Sequence, residues 1–195
     1  IVGADAIEWP HLRELGTAAG MFTHPWVWLS LFSAEDLRNQ SGLLDMFGVR
    51  VVFTPPEVSR SAWHPVAMAR GDLVRVFERP SAWPRAFFTD RVQRYATPAD
   101  LALSLESATG PFASVQINDG RATEAAGALT TSAPATVVAA SAYQLTPNTT
   151  SFTVTAPSAG IVVLGEAYEP VDFRVTLNGT PVPYFRVNHM FKAVS

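Results

Sequence analysis

The 195-residue sequence has no cysteine, and that absence excludes disulfides, thiolate zinc sites and thiol nucleophiles together. It has little net charge: 14 Lys and Arg stand against 17 Asp and Glu, a formal -3, with the two signs interspersed. Without a basic stripe there are few counterions to release from a phosphate backbone, so nucleic acid is not an expected partner. No window approaches the roughly 20 apolar residues that a membrane-spanning helix needs, and Ile1 does not open a basic, apolar, small-residue leader. The chain as it stands is expected to be soluble. A start at Ile1 rather than Met suggests a cut from a longer polypeptide, although missing terminal residues would read the same.

Catalytic signatures are sparse as well. There is no Gly-x-Ser-x-Gly elbow to present a hydrolase nucleophile. The histidines, His11, His24, His64 and His189, stand at long, irregular intervals without a zincin-type pair. A metal site could form only by assembly in space, and ordinary surface or loop histidines are the expectation. Neither a catalytic residue nor a metal or cofactor is expected, and the chain by itself does not read as an enzyme.

What is present is a folding sequence. Apolar residues make up 48% and charged residues 16%, a balance that can bury a core rather than remain disordered. The length suits one core or two small ones sharing an interface.

The N-terminal part, residues 1–110, reads as short helices and strands. Pro10 to Gly16 can form about two helical turns before glycine ends them. Met21 to Phe32, with Phe22, Trp26, Trp28 and Phe32, is too apolar to lie bare. Ser33 and Asp36 resemble a capping box. The helix that follows has Leu37, Leu44 and Phe47 on one face, with Gly42 as a weak point and Gly48 as its terminator. Alternation over Val49, Val51 and Phe53 then predicts a strand stopped by Pro55-Pro56. Leu73 to Arg79 and Arg85 to Tyr95 predict two more strands, able to pair as a hairpin. Thr97-Pro98-Ala99-Asp100 carries a hydroxyl cap, proline at the first helical position and an acid in the first turn, and so starts a helix.

From 111 to 195 the texture turns to Thr, Ser, Ala and Val. Strands are predicted at Ala113 to Asn118, Thr136 to Leu145, Thr149 to Ala156, Gly160 to Tyr168, Val171 to Leu177, Val182 to Val187 and His189 to Ser195. Asn178-Gly179 is the strongest turn signal, because a two-residue type I′ hairpin needs positive φ at both positions. Ile161 to Leu164, apolar on both sides, predicts a central strand. The fold class is α+β and mostly β: an antiparallel β-sandwich, jelly-roll or immunoglobulin-like, in the C-terminal half, with a small helix and strand part before it, together one compact unit.

Three passages carry a resemblance. Leu43-Leu44-Asp45-Met46-Phe47-Gly48-Val49-Arg50-Val51-Val52, then Val76-Phe77-Glu78-Arg79-Pro80 with Trp83-Pro84-Arg85-Ala86-Phe87, then Gly160 to Pro170 followed by Asn178-Gly179-Thr180-Pro181-Val182, resemble in order and spacing segments of YfhO-like bacterial polytopic membrane proteins. The resemblance spans about residues 43 to 194. It implies a C-terminal domain outside the cytoplasm, following many membrane helices, in a family similar to polytopic glycosyltransferases that use lipid-linked sugars. The catalytic acids of such enzymes would lie near membrane helices that this chain lacks, so no catalytic role carries over. The implied partners are the protein's own transmembrane region and a glycan or lipid-linked sugar. Val171-Asp172-Phe173 stands where that family usually has proline-glycine-tryptophan.

The surplus of aromatics points the same way, since pyranose faces stack on aromatic rings while their hydroxyls need polar partners. Trp63, Trp83 and Tyr168 are the candidate platforms, weighed against core filling. Glu166 and Asp172 are the candidate acids beside the Tyr168 to Pro170 turn, weighed against solvated strand ends. Asn118-Asp119-Gly120 reads as a turn before it reads as a calcium ligand set, and Asn148-Thr149-Thr150 as a chance glycosylation match. The leading reading is an accessory domain that helps hold a glycan. Its rivals are a purely structural cap on the membrane helices and a free-standing hydrolase.

Overall fold

A computed structural model describes residues 2–3, 10–20, 29–30, 41–57, 63–69, 73–127, 129, 135–171 and 173–195. The helices are α1 Pro10–Ala18, α2 Ser41–Met46, α3 Pro98–Glu106 and α4 Gly120–Ala125. The strands begin with β1 Val2–Gly3, β2 Leu29–Ser30, β3 Val51–Thr54, β4 His64–Ala69, β5 Val74–Glu78, β6 Ala86–Thr89, β7 Val92–Tyr95 and β8 Ala113–Gln116. They continue with β9 Val137–Ala139, β10 Ser141–Leu145, β11 Thr150–Thr153, β12 Ile161–Ala167, β13 Val175–Leu177, β14 Thr180–Val182, β15 Phe185–Val187 and β16 Phe191–Val194. The protein is α+β and mostly β. No helix among the described residues is long and apolar enough to cross a membrane.

Where local chemistry is decisive, it acts as the sequence predicts. Thr97 and Asp100 form a reciprocal capping box at the start of α3: Thr97 Oγ1 accepts from the Asp100 N–H at 3.3 Å, and the Asp100 carboxylate accepts from the Thr97 N–H at 2.8 Å. Asn178 and Gly179 take φ of 51° and 81° and join β13 to β14. Gly48 closes α2, its N–H donating to Asp45 O at 2.9 Å. Gly42 proves to be a packing requirement: a Cβ there would stand 1.9 Å from the Leu105 carbonyl oxygen, so only glycine lets α2 and α3 lie this close.

The main sheet runs β15-β16-β12-β6-β9, with every neighbouring pair antiparallel. As predicted, the strand carrying Ile161 to Leu164 is central, with Ile161 and Val163 wholly buried. One face of the sheet presents Phe87, Val163, Phe185 and Ala193 to a core completed by Leu15, Leu43, Leu101, Leu105, Phe112 and Val115. The other face carries Phe88, Val162, Leu164 and Lys192.

Several pairings differ from expectation. The stretch Arg85 to Tyr95 does not form a hairpin with Leu73 to Arg79: it breaks into β6 in the main sheet and β7, which pairs in parallel with β8 across α3. A parallel pair needs a crossover of this kind, and α3 supplies it. β5 instead pairs with β3 and β4 in a three-stranded antiparallel sheet. The pairings of β6 with β12 and of β7 with β8 join strands from the two sides of residue 110, so residues 1–110 and 111–195 share sheets. Thr136 to Leu145 splits at Ala140 into β9 and β10, which lie in different sheets. The residues after Phe112 hold a helix that was not expected, α4, because Asp119 acts as its cap, accepting from the Ala122 N–H at 3.2 Å. α1 runs through Gly16 to Ala18. The Ser33 and Asp36 cap and Met21 to Phe32, apart from the Leu29–Ser30 pairing with β1, lie outside the described residues.

A candidate cleft beside a histidine and carboxylate cluster

The β15–β16 turn is anchored to β8 through both side chain and backbone. Asn188 and His189 have φ of 50° and 68°, two successive non-glycine residues in the left-handed region, an arrangement that persists only where surroundings enforce it. Asn188, wholly buried, does the enforcing. Its Oδ1 accepts from Ser114 N at 2.7 Å and Ser114 Oγ at 2.9 Å, its Nδ2 donates to Phe112 O at 3.1 Å, and its N–H donates to Ser114 O at 2.8 Å. The turn is thereby pinned to β8, and His189 is aimed at α1.

On α1, His11 and Glu14 are three residues apart and so share a face. Glu14 Oε2 lies 2.8 Å from His189 Nε2 and 3.4 Å from His11 Nδ1, and the two imidazole rings meet edge to face with centroids 5.3 Å apart. His189 is 2% exposed. Its other nitrogen, Nδ1, lies 3.2 Å from Tyr95 Oη. Arg186 Nη1 stands 3.0 and 2.9 Å from the two nitrogens of His11. A donor equally near both cannot sit on either lone pair, so the guanidinium lies against the ring. Its Nη2 donates to Gln116 Oε1 at 3.1 Å and pairs with Asp119 Oδ2 at 3.5 Å.

Burial sets the protonation of this cluster. It lowers the His189 pKa, against the opposing hydrogen bond to Glu14, and favours the neutral ring. It raises that of Tyr95, which stays a phenol. For Glu14 burial acts upward, but the hydrogen bonds to His189 and His11 outweigh it and the carboxyl is held below its usual range. The neutral arrangement is then a chain in which Tyr95 O–H donates to His189 Nδ1 and His189 Nε2–H donates to Glu14.

Next to the cluster opens a cleft of about 210 Å³, lined by Pro10 and His11 of α1, by Ala167, Tyr168, Glu169 and Pro170 after the core of β12, and by Met190 of the turn. Its volume falls below the roughly 300–1,000 Å³ of pockets for drug-sized ligands, which suits one small ring or a chain end. Tyr168 is half-buried there, its ring 5.5 Å from that of Tyr184 at 62°. The Tyr168 N–H donates to Met190 O at 2.7 Å, and the Tyr184 hydroxyl donates to Glu169 O.

Of the described residues proposed from sequence as ligand-binding candidates, Trp63, Trp83, Glu166 and Tyr168, only Tyr168 lines this cleft. Trp63, 8% exposed, packs its ring 5.8 Å from Phe77 beneath the Arg79 guanidinium. Trp83, 5% exposed, packs against Phe87 and Phe112 at 6.0 and 5.1 Å. Neither tryptophan offers a face to a sugar: both went to the core. Glu166 is no solvated strand end either. Its Oε1 accepts from Thr150 Oγ1 at 2.8 Å, Tyr143 Oη at 3.1 Å and Arg85 Nη2 at 3.4 Å, and its Oε2 from Lys192 Nζ at 3.4 Å. Burial pushes its pKa upward, but these bonds and the Lys192 charge prevail and lower it. That is the reverse of what a general acid needs, and the carboxylate ties the β10–β11 hairpin to the main sheet. Asp172 lies outside the described residues.

The sequence intervals of His11 and His189 gave no sign of a shared site; the fold creates it across 175 residues between Glu14 and His189. The readable hint was local: the i, i+3 pair of His11 and Glu14 on one helical turn. Comparison with protein-family models, with curated proteins and with solved structures finds no match.

Proposed function

We propose that this chain is a non-catalytic accessory module, outside the cytoplasm and joined to its own bacterial transmembrane region, that holds one sugar ring of a glycan or lipid-linked sugar in the cleft at Tyr168. The cleft carries this reading. Tyr168 supplies an aromatic surface backed by Tyr184, while His11 and Glu169 bring hydrogen-bonding groups to the same walls, the pairing of apolar face and polar rim that a pyranose requires. Membership of a membrane protein, and with it the location, is supported by the resemblance of residues 43 to 194 described above. Calorimetric titration with a panel of cell-envelope oligosaccharides tests the proposal. Binding heat that disappears in Tyr168→Ala is expected; absent heat together with unmoved amide chemical shifts across the panel would sink it.

A second observation favours a structural cap on the membrane helices. The three-stranded sheet leaves Val51, Phe53 and Val66 exposed, Phe53 at 67%, and Leu73, just before β5, is 68% exposed. Exposed apolar groups gathered on one small sheet mark a surface that meets another apolar surface. A membrane-free chain in which Phe53→Lys abolishes adsorption to detergent micelles, while oligosaccharides give no heat, would favour the cap over the ligand module.

A further inference from the structure

We propose that His11, Glu14 and His189 form a binding site for a divalent transition-metal ion of the zinc type. Each offers one ligand atom, and the three atoms all lie within 4.8 Å of one another. Ligands about 2.0–2.2 Å from a tetrahedral ion stand roughly 3.3 Å apart; the observed separations from Glu14 Oε2, 2.8 Å to His189 and 3.4 Å to His11, bracket that value. Two imidazoles and one carboxylate are a donor set that suits zinc and its first-row neighbours rather than calcium or magnesium, which take oxygen.

The surroundings fit a metal in three further ways. Tyr95 Oη holds the far nitrogen of His189, as ligating histidines require of a neighbouring group. A hydroxyl either donates or accepts, so when Nε2 gives up its proton to bind the ion, the proton resides on Nδ1 and is accepted by Tyr95. The left-handed turn pinned by Asn188 fixes the direction of His189 before any ion arrives, which reduces the ordering cost of binding. The Arg186 charge beside His11 opposes a cation, but it is shared with Asp119 and Gln116, and Glu14 supplies a negative ligand. Three protein ligands leave a coordination position open, as in zinc sites that also bind water or an exogenous oxygen. Because His11 lines the cleft, that position borders it.

The site would join α1 to the β15–β16 turn, so binding must also stabilise the fold. The tag-free chain, stripped with chelator, is titrated with Zn²⁺ by calorimetry and with Co²⁺ by visible absorption. One ion per chain is expected, with the ligand-field bands of four- or five-coordinate cobalt. Thermal unfolding should shift up by roughly 5–10 °C at a hundredfold excess of Zn²⁺ over Kd. His11→Ala and Glu14→Gln, on the accessible side of α1, should each remove stoichiometric uptake while circular dichroism stays unchanged. Tyr95→Phe, which keeps all three ligands, should weaken binding about 10-fold to 100-fold. Absence of saturable uptake, or uptake unaltered in both His11→Ala and Glu14→Gln, overturns the site. Neither result depends on whether a sugar binds at Tyr168.

Discussion

The two larger antiparallel sheets among the described residues treat their apolar residues in opposite ways. In the five-stranded sheet all of β6 and β16 is buried, and β12 buries Ile161 and Val163 against a continuous core. In the three-stranded sheet Val51 and Phe53, two residues apart and hence on one face of β3, point outward, while Trp63, Phe77 and Arg79 fill the inside. Alternation of apolar and polar residues predicted β3 as a strand, yet its apolar side is the exposed one. The larger sheet buries its apolar residues against the helices and β8, whereas the smaller one leaves the apolar residues of β3 in contact with solvent.

Substitutions can break this contrast in order of effect. Phe112→Ala removes a wholly buried ring in contact with Trp83 and should cost about 3–5 kcal/mol, seen as a lowered midpoint in urea. Gly42→Ala drives a methyl group into the Leu105 carbonyl and should cost about 1–3 kcal/mol as α2 and α3 are forced apart. Thr97→Ala removes one arm of the capping box, a loss of about 1 kcal/mol. Phe53→Ser should leave stability within about 0.5 kcal/mol while reducing self-association in light scattering. A destabilisation by Phe53→Ser as large as that by Phe112→Ala would erase the distinction between the sheets.

Acid sharpens the same comparison through Glu166. Its folded pKa lies below the ordinary 4.5, so the unfolded chain binds its proton first. The stabilisation it contributes is complete above the ordinary value and is lost as pH falls through the folded one. Glu166→Gln should therefore flatten the acid limb of a stability profile, and hydrogen exchange should show β10 and β11 opening first in acid. A mutant profile parallel to that of the parent would mean that the carboxylate does not hold the hairpin.

What could be read in advance were features whose cause lies within a few residues. The cap at Thr97, the turn at Asn178-Gly179 and the central strand at Ile161 to Leu164 each carry their physics locally. Partner choice does not. Nothing in Arg85 to Tyr95 announces that its two halves join different sheets, or that β7 pairs in parallel with β8. Asp119 read as a turn because a turn and a helix cap begin with the same side-chain acceptor. Trp63 and Trp83 were ambiguous for a chemical reason: a large aromatic beside polar residues suits a sugar platform and a core equally. The His11, Glu14 and His189 cluster depends on tertiary convergence, and only its i, i+3 half had a local signature.

The position of β16 between β12 and β15 has a consequence for synthesis. Until residues 191–194 leave the ribosome, β12 has one neighbour, β6, and an open edge on the other side. An open edge on an apolar central strand recruits other chains. A chain halted before Phe191 should thus be more prone to aggregate than one that carries β16, because only the latter covers that edge of β12.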